Sequence, residues 1–220
     1  MQYTLSLNPE RLMTSLFFRR CAGRSPKSAD PAMLSLQLGT ALLAGALLLG
    51  LLCPGAADAQ EDAALFPDLS LQGQLEPEMV EQLGISGTPF RLSDVPKPFL
   101  FVEIFSMYCP YCQRDAPEVN RIFEEVRSSN LWEELRFVGI GTGNTQYEVD
   151  VYAEQFQTRF PLLPDNDFTM HSALGNVGTP YYLLLRNAGP GKLEVIHSVE
   201  GAPDNMDAMF ATMLRKAGLQ

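Results

Sequence analysis

The feature that most constrains this chain is a junction. Phe99-Leu100-Phe101-Val102-Glu103-Ile104-Phe105 is an almost unbroken apolar run, and only Ser106, Met107 and Tyr108 separate it from Cys109-Pro110-Tyr111-Cys112. A short run rich in aromatic and aliphatic residues reads as a strand buried on both faces, the habit of parallel sheets. Pro110 suits the first turn of a helix, where a backbone N–H has no partner to lose. The helix that it opens carries Val119, Ile122, Phe123 and Val126 at i, i+3, i+4, i+7, the spacing of one buried face. A buried strand running straight into an amphipathic helix belongs to a layered α/β architecture.

The sequence beyond the junction continues that pattern. Leu135 to Gly141 predicts a second strand, and Tyr147 to Arg159 a second helix with Val149, Tyr152, Ala153 and Phe156 on one face. Tyr181 to Leu185 and Leu193 to Val199 predict two strands, and the turn-rich link Asn187-Ala188-Gly189-Pro190-Gly191 suits a hairpin. A last helix turns Met206, Met209, Phe210, Met213 and Leu214 inward, and these methionines read as core packing. The order predicts one α/β domain, a central mixed sheet flanked by helices.

The first 59 residues read differently. They hold five basic residues against three acidic ones, whereas residues 60–220 hold eleven against twenty-three. A basic segment is followed by an apolar stretch from Leu34 to Leu52 and by Ala57-Asp58-Ala59, the layout of a secretory signal peptide cleaved after Ala59. The rival is an uncleaved membrane anchor over 34–53, against which the A-x-A site speaks. Residues 60–91 are left as an N-terminal extension, and 92–220 as the folded domain. The strong acidity of the mature chain and the lack of a basic tract exclude nucleic acid as a partner.

Cleavage would remove Cys21 and Cys53 and leave Cys109 and Cys112. In an oxidising exported compartment such as the periplasm, a stray thiol is a liability. As a staple, C-x-x-C closes almost no loop, so the pair reads as chemical rather than structural. A thiolate at a helix N-terminus is stabilised by free backbone N–H groups, which makes Cys109 the nucleophile and Cys112, one turn further in, the resolving thiol. No metal site is expected: zinc wants about four ligands, no second cysteine pair exists, and His171 and His197 read as surface or core residues. Gln113 stands where haem attachment needs histidine. No cofactor is called for, because the cysteines themselves carry the electrons.

The stretch Val102 to Cys112 resembles the active-site segment of thioredoxin-fold oxidoreductases. Glu103, six residues before the first cysteine, falls where thioredoxins carry a buried Asp and DsbA-like oxidants a Glu. Pro117, five after the second cysteine, falls where thioredoxins kink this helix, and Gly178-Thr179-Pro180 resembles the loop whose cis-proline faces the disulfide. The strand–helix unit between 135 and 165 and the phrase Phe160-Pro161-Leu162-Leu163-Pro164-Asp165 are similar to the TlpA-like exported branch. Pro110-Tyr111 is the dipeptide of glutaredoxins, and Glu103 to Phe105 is more DsbA-like. Only 67 residues separate Cys112 from Pro180, too few for the helical insertion of DsbA-like proteins.

This resemblance implies a thioredoxin-like domain that exchanges a Cys109–Cys112 disulfide with client proteins, in the TlpA-like reductase sense. A DsbA-like oxidant and a non-catalytic peptide-binding module stand as alternatives. Glu103 would move the proton of Cys112, a role also suggested by the cost of an unpaired carboxylate in so apolar a strand. Tyr108, Pro110, Tyr111, Thr179 and Pro180 would contact the substrate, with the Thr179-Pro180 backbone aligning it as an added strand. The partners implied are client proteins with thiols or disulfides and a membrane thiol donor, with residues 34–53 as a membrane tether if the leader is retained.

Overall fold

The computed structural model describes residues 64–219. The leader, the alternative anchor over 34–53 and the cleavage site after Ala59 lie outside the described residues.

The described chain begins with a two-residue strand β1, Leu65–Phe66, and a short helix α1, Pro77–Leu83. Strand β2, Phe99–Phe105, leads into helix α2, Pro110–Arg127. Strand β3, Leu135–Thr142, is followed by helix α3, Gln146–Phe156, and the four-residue strand β4, Leu162–Asp165. A short helix α4, Thr169–Ala173, precedes the hairpin of β5, Tyr181–Asn187, and β6, Leu193–Glu200, and helix α5, Met206–Ala217, closes the domain. The six strands form one sheet in the order β1-β6-β5-β2-β3-β4. Strands β2, β3 and β4 run parallel, whereas β5 is antiparallel to β2 and β6.

Successive side chains of β2 alternate between two cores, as the period of a strand demands. Phe101 and Phe105 join a core built with Phe123 of α2, Tyr152 of α3 and Phe210 of α5. Leu100, Val102 and Ile104 join the other, which is covered by Phe66, Leu71, Leu83, Phe90, Leu92 and Val95 together with Met170 of α4. Burial on both faces explains why β2 reads as continuous rather than alternating hydrophobicity. The register places Glu103 between Gly139 of β3 and Tyr182 of β5. Gly139 leaves room for the neighbouring strand: a Cβ there would stand 2.3 Å from Leu162 Cδ2 and 3.3 Å from the Phe105 ring.

Two elements differ from expectation. The second helix ends at Phe156 rather than Arg159, because Gln157 takes a left-handed conformation (φ 55°) and caps the helix through its backbone N–H. Its last turn would otherwise have carried Gln157-Thr158-Arg159, which bring no apolar side chain to the core. Leu162–Asp165 is a strand in its own right, with Pro164 tolerated because β4 lies at the sheet edge. Within 64–91, Leu71 and Phe90 exchange backbone hydrogen bonds of 2.7 and 3.2 Å, and both are buried in the core that holds Leu100, Val102 and Ile104. Among the described residues, no helix is long and apolar enough to cross a membrane.

Candidate active site

Cys109 is the N-cap of α2, in extended backbone conformation, with Pro110 in the first helical position. Its Sγ accepts the backbone N–H of Cys112 at 3.3 Å and, as a thiol, donates to the Thr179 carbonyl at 3.3 Å. Cys109 is half-buried, and Cys112 is fully buried beneath it. Burial alone would raise the Cys109 thiol. Hydrogen bonds from the Cys112 thiol, the Thr179 side chain and the backbone N–H groups of Cys112 and Tyr111 outweigh it and hold Cys109 below the ordinary thiol range. Cys112 moves in the opposite direction: burial pushes it far up, and its hydrogen bond to Cys109 and the charges on Glu103 and Cys109 add to that. The two sulfurs are one turn apart and electrostatically opposite.

Glu103 reaches the α2 side of the sheet from the middle of β2 and is only 2% exposed. Its Oε1 has no hydrogen-bond partner among the described residues. Burial, and then the charges on Asp115 and Cys109, lift its titration to about 8. A carboxyl group in that state carries its proton at neutral pH and can exchange it with a thiol nearby. The Thr179–Pro180 peptide is cis. Pro180 is buried and its carbonyl accepts the Gly201 N–H at 2.8 Å, and the Thr179 carbonyl is the group of this loop that meets Cys109. Tyr108 and Tyr111 are exposed, the first hydrogen-bonded to Glu148 of α3 and the second lying under the Arg114 guanidinium, 5.3 Å from its ring centre. Beside Cys109 runs a groove of about 790 Å³ whose walls include Tyr111, Arg114, Asp115, Thr179 and Pro203.

The arrangement can be set beside known proteins. The chain is 22% identical over 108 residues to the thiol-disulfide oxidoreductase ResA of Geobacillus thermodenitrificans, a match covering 49% of this chain and 60% of that protein. It is 18% identical over 105 residues to ResA of Halalkalibacterium halodurans, covering 48% and 57%. The match thus spans three-fifths or less of each of these curated relatives. No protein-family model matches the chain. Among solved structures, a candidate thiol:disulfide interchange protein DsbE from Chlorobium tepidum superposes with a TM-score of 0.56 at 16% identity, covering 73% of this chain and 99% of that one. A candidate protein disulfide isomerase from Bacteroides thetaiotaomicron gives a TM-score of 0.53 at 14% identity, covering 71% and 88%. The chain has the thioredoxin fold.

In this thioredoxin-fold domain, α2 and the loop before β5 bring Cys109, Cys112 and Thr179 together, and β2 adds Glu103 from below. Sequence reasoning missed the polar groups around them. Asp115 is buried next to the groove, held by Arg114 Nε at 2.8 Å and by the Tyr182 hydroxyl at 3.3 Å. Tyr152 donates its hydroxyl to the Cys112 carbonyl at 3.0 Å. Asn144, fully buried, accepts the Met107 N–H at 2.8 Å and so fixes the loop that leads to Cys109. Asp115 had a signal in its place on the apolar side of α2, one turn after Cys112. Tyr152 was legible only as core, and nothing local marks Asn144.

Proposed function

We propose that this chain is an exported thiol–disulfide oxidoreductase that reduces client disulfides through Cys109 and Cys112. The observation that carries this reading is the opposed pair: a half-exposed thiol held low at a helix N-terminus above a fully buried thiol pushed high. The likeness to proteins named ResA supports the reaction class. The short connection from Cys112 to Pro180 and the leader-like first 59 residues support a TlpA-like, exported setting.

The steps balance in electrons and protons. Cys109 thiolate attacks one sulfur of a client disulfide, forming a mixed disulfide and releasing the other client sulfur as thiolate, which takes up a proton from solvent. Glu103, once it has given its own proton to solvent, takes the proton of Cys112, which attacks Cys109 Sγ. The second client sulfur leaves as a thiolate and takes up a proton from solvent, so the client has gained two electrons and two protons while Cys109 and Cys112 have become a disulfide. A thiol donor must return those electrons. Thr179 would align the client backbone beside Cys109, with Tyr108, Pro110 and Tyr111 as flanking contacts.

The deciding experiment traps the cysteines with acid in an exporting cell and alkylates them. A mostly reduced pair supports the reductase, and a mostly oxidised pair makes the protein an oxidant. Cys112→Ser should accumulate mixed disulfides through Cys109, and Cys109→Ser none; a peptide-binding module without turnover would trap nothing in either variant.

A further inference from the structure

Large apolar side chains that remain exposed are few. Among the described residues they are Leu65, Tyr108, Tyr111, Tyr147 and Phe168. Three of these five follow the C-terminal ends of the parallel strands: Tyr108 after β2, Tyr147 after β3 and Phe168 after β4. That edge is also where Cys109 sits. It lies on the opposite side of Cys109 from the Thr179–Pro180 loop, because β5 flanks β2 on one side and β3 and β4 on the other.

Tyr108 and Phe168 both meet the segment 143–148, which also carries Tyr147. Tyr108 donates its hydroxyl to Glu148, whose other oxygen caps α3 through the Thr145 N–H at 2.7 Å, and Tyr147 is the residue before Glu148. Two residues before Thr145, Gly143 adopts a left-handed conformation (φ +65°), and a Cβ there would stand 2.5 Å from Cζ of the Phe168 ring. Phe168 itself is left-handed (φ 60°), a conformation costly for an aromatic residue. Tyr147 is 76% exposed, Tyr108 66% and Phe168 48%, so folding spends a strained backbone on a ring that it leaves half outside. Exposed aromatic rings gathered at one edge of the sheet beside a reactive group are the composition of a protein-binding surface.

We propose that Tyr108, Tyr147 and Phe168 form a rim that binds an apolar, extended segment of the client polypeptide, flanking the sulfur that Cys109 attacks. This rests on the dithiol reading above. The rim begins at the residue before the nucleophile, so its occupant is continuous with whatever is joined to Cys109. Strands lie about 4.8 Å apart, so the ends of β2 and β4 are separated by about 10 Å, roughly three residues of extended chain. A polypeptide spans that distance while its sulfur stays at Cys109; a disulfide bearing only two-carbon arms does not.

The test compares two oxidised substrates, insulin and 2-hydroxyethyl disulfide, by stopped-flow oxidation of the reduced protein. Tyr147→Ser touches an open side chain and should leave the fold intact. It should lower the second-order rate constant for insulin about threefold, and Tyr147→Ser with Phe168→Ser about tenfold, the scale of losing aromatic anchors from an interface. The rate constant for 2-hydroxyethyl disulfide should stay at the wild-type value in both. Equal losses on the two substrates, or no loss on insulin, would overturn the rim. So would a wild-type dimer in sedimentation that Tyr147→Ser converts to monomer, since the rim would then bind a second copy. A wild-type protein inert toward both substrates would instead remove the dithiol reading, and the rim's role would fall with it.

Discussion

Cys109 and Cys112 differ by position, not by type. One caps a helix within reach of Thr179, and the other is sealed one turn below, so alkylation near neutral pH should modify Cys109 first. Peptide mass spectrometry after brief iodoacetamide treatment checks this, and labelling of Cys112 first would reverse the assigned roles. Glu103 gives a second prediction. Its carboxyl titrates near 8 in the folded chain, against an ordinary value of 4.5. Between those values the unfolded chain has released a proton that the folded chain keeps, so this group makes stability fall as pH rises through the window and level off above it. Glu103→Gln should therefore melt at or above the wild-type temperature, with a margin that is absent below pH 4.5 and grows toward pH 8. Each pKa unit of such a shift is worth about 1.4 kcal/mol, so the margin should be easy to measure. First attack by Cys109 should survive, whereas resolution near pH 7 should slow by about 10²-fold. Unchanged resolution with lost stability would leave Glu103 a structural residue.

At the scale of elements, the site depends on how the loop before α2 is held. Asn144 Oδ1 takes the Met107 N–H, Gln113 Nε2 donates to the Met107 carbonyl at 2.6 Å, and Tyr108 is tied to α3. Asn144→Ala would leave a part-buried N–H without its acceptor, a loss of about 1–3 kcal/mol in a denaturant titration. An unchanged midpoint would mean that water replaces the amide at no cost. This element also shows what can be read in advance. The strands Phe99–Phe105 and Leu135–Thr142 and helices α2, α3 and α5 were legible because each buries a periodic set of apolar side chains, and Cys109, Cys112 and Glu103 were legible because they sit at fixed offsets on one such strand and helix. Asn144 was not, since its partner Met107 is 37 residues away and a single amide has no period. The end of α3 was missed for a related reason: nothing in Gln157-Thr158-Arg159 forbids another helical turn, and the left-handed cap is set by the fold around it.

At the scale of the whole molecule, the sheet has two faces and only one is covered by the long helices. The other depends on residues that precede β2. Phe66, Leu71, Leu83 and Phe90 are all buried against Leu100, Val102, Ile104, Val138 and Ile140, and β1 pairs with β6 at the edge. Such short, irregular pieces have no periodicity of their own, which is why residues 60–91 read from sequence as an extension to a domain starting at Leu92. Removing residues 60–91 tests that boundary. Each fully buried apolar side chain contributes about 1.5–3 kcal/mol, so losing four of them takes away an amount comparable to the 5–15 kcal/mol that stabilises a typical domain. The truncated chain would also expose the outer edge of β6, an unpaired edge open to other strands. A chain beginning at Leu92 should therefore lose its cooperative melt, bind a dye for exposed apolar surface and aggregate, while a chain beginning at Gln60 should melt in one transition. If the shorter chain kept a single transition within about 1 kcal/mol of the longer one, the segment would be a dispensable cover and the domain would begin at Leu92 after all.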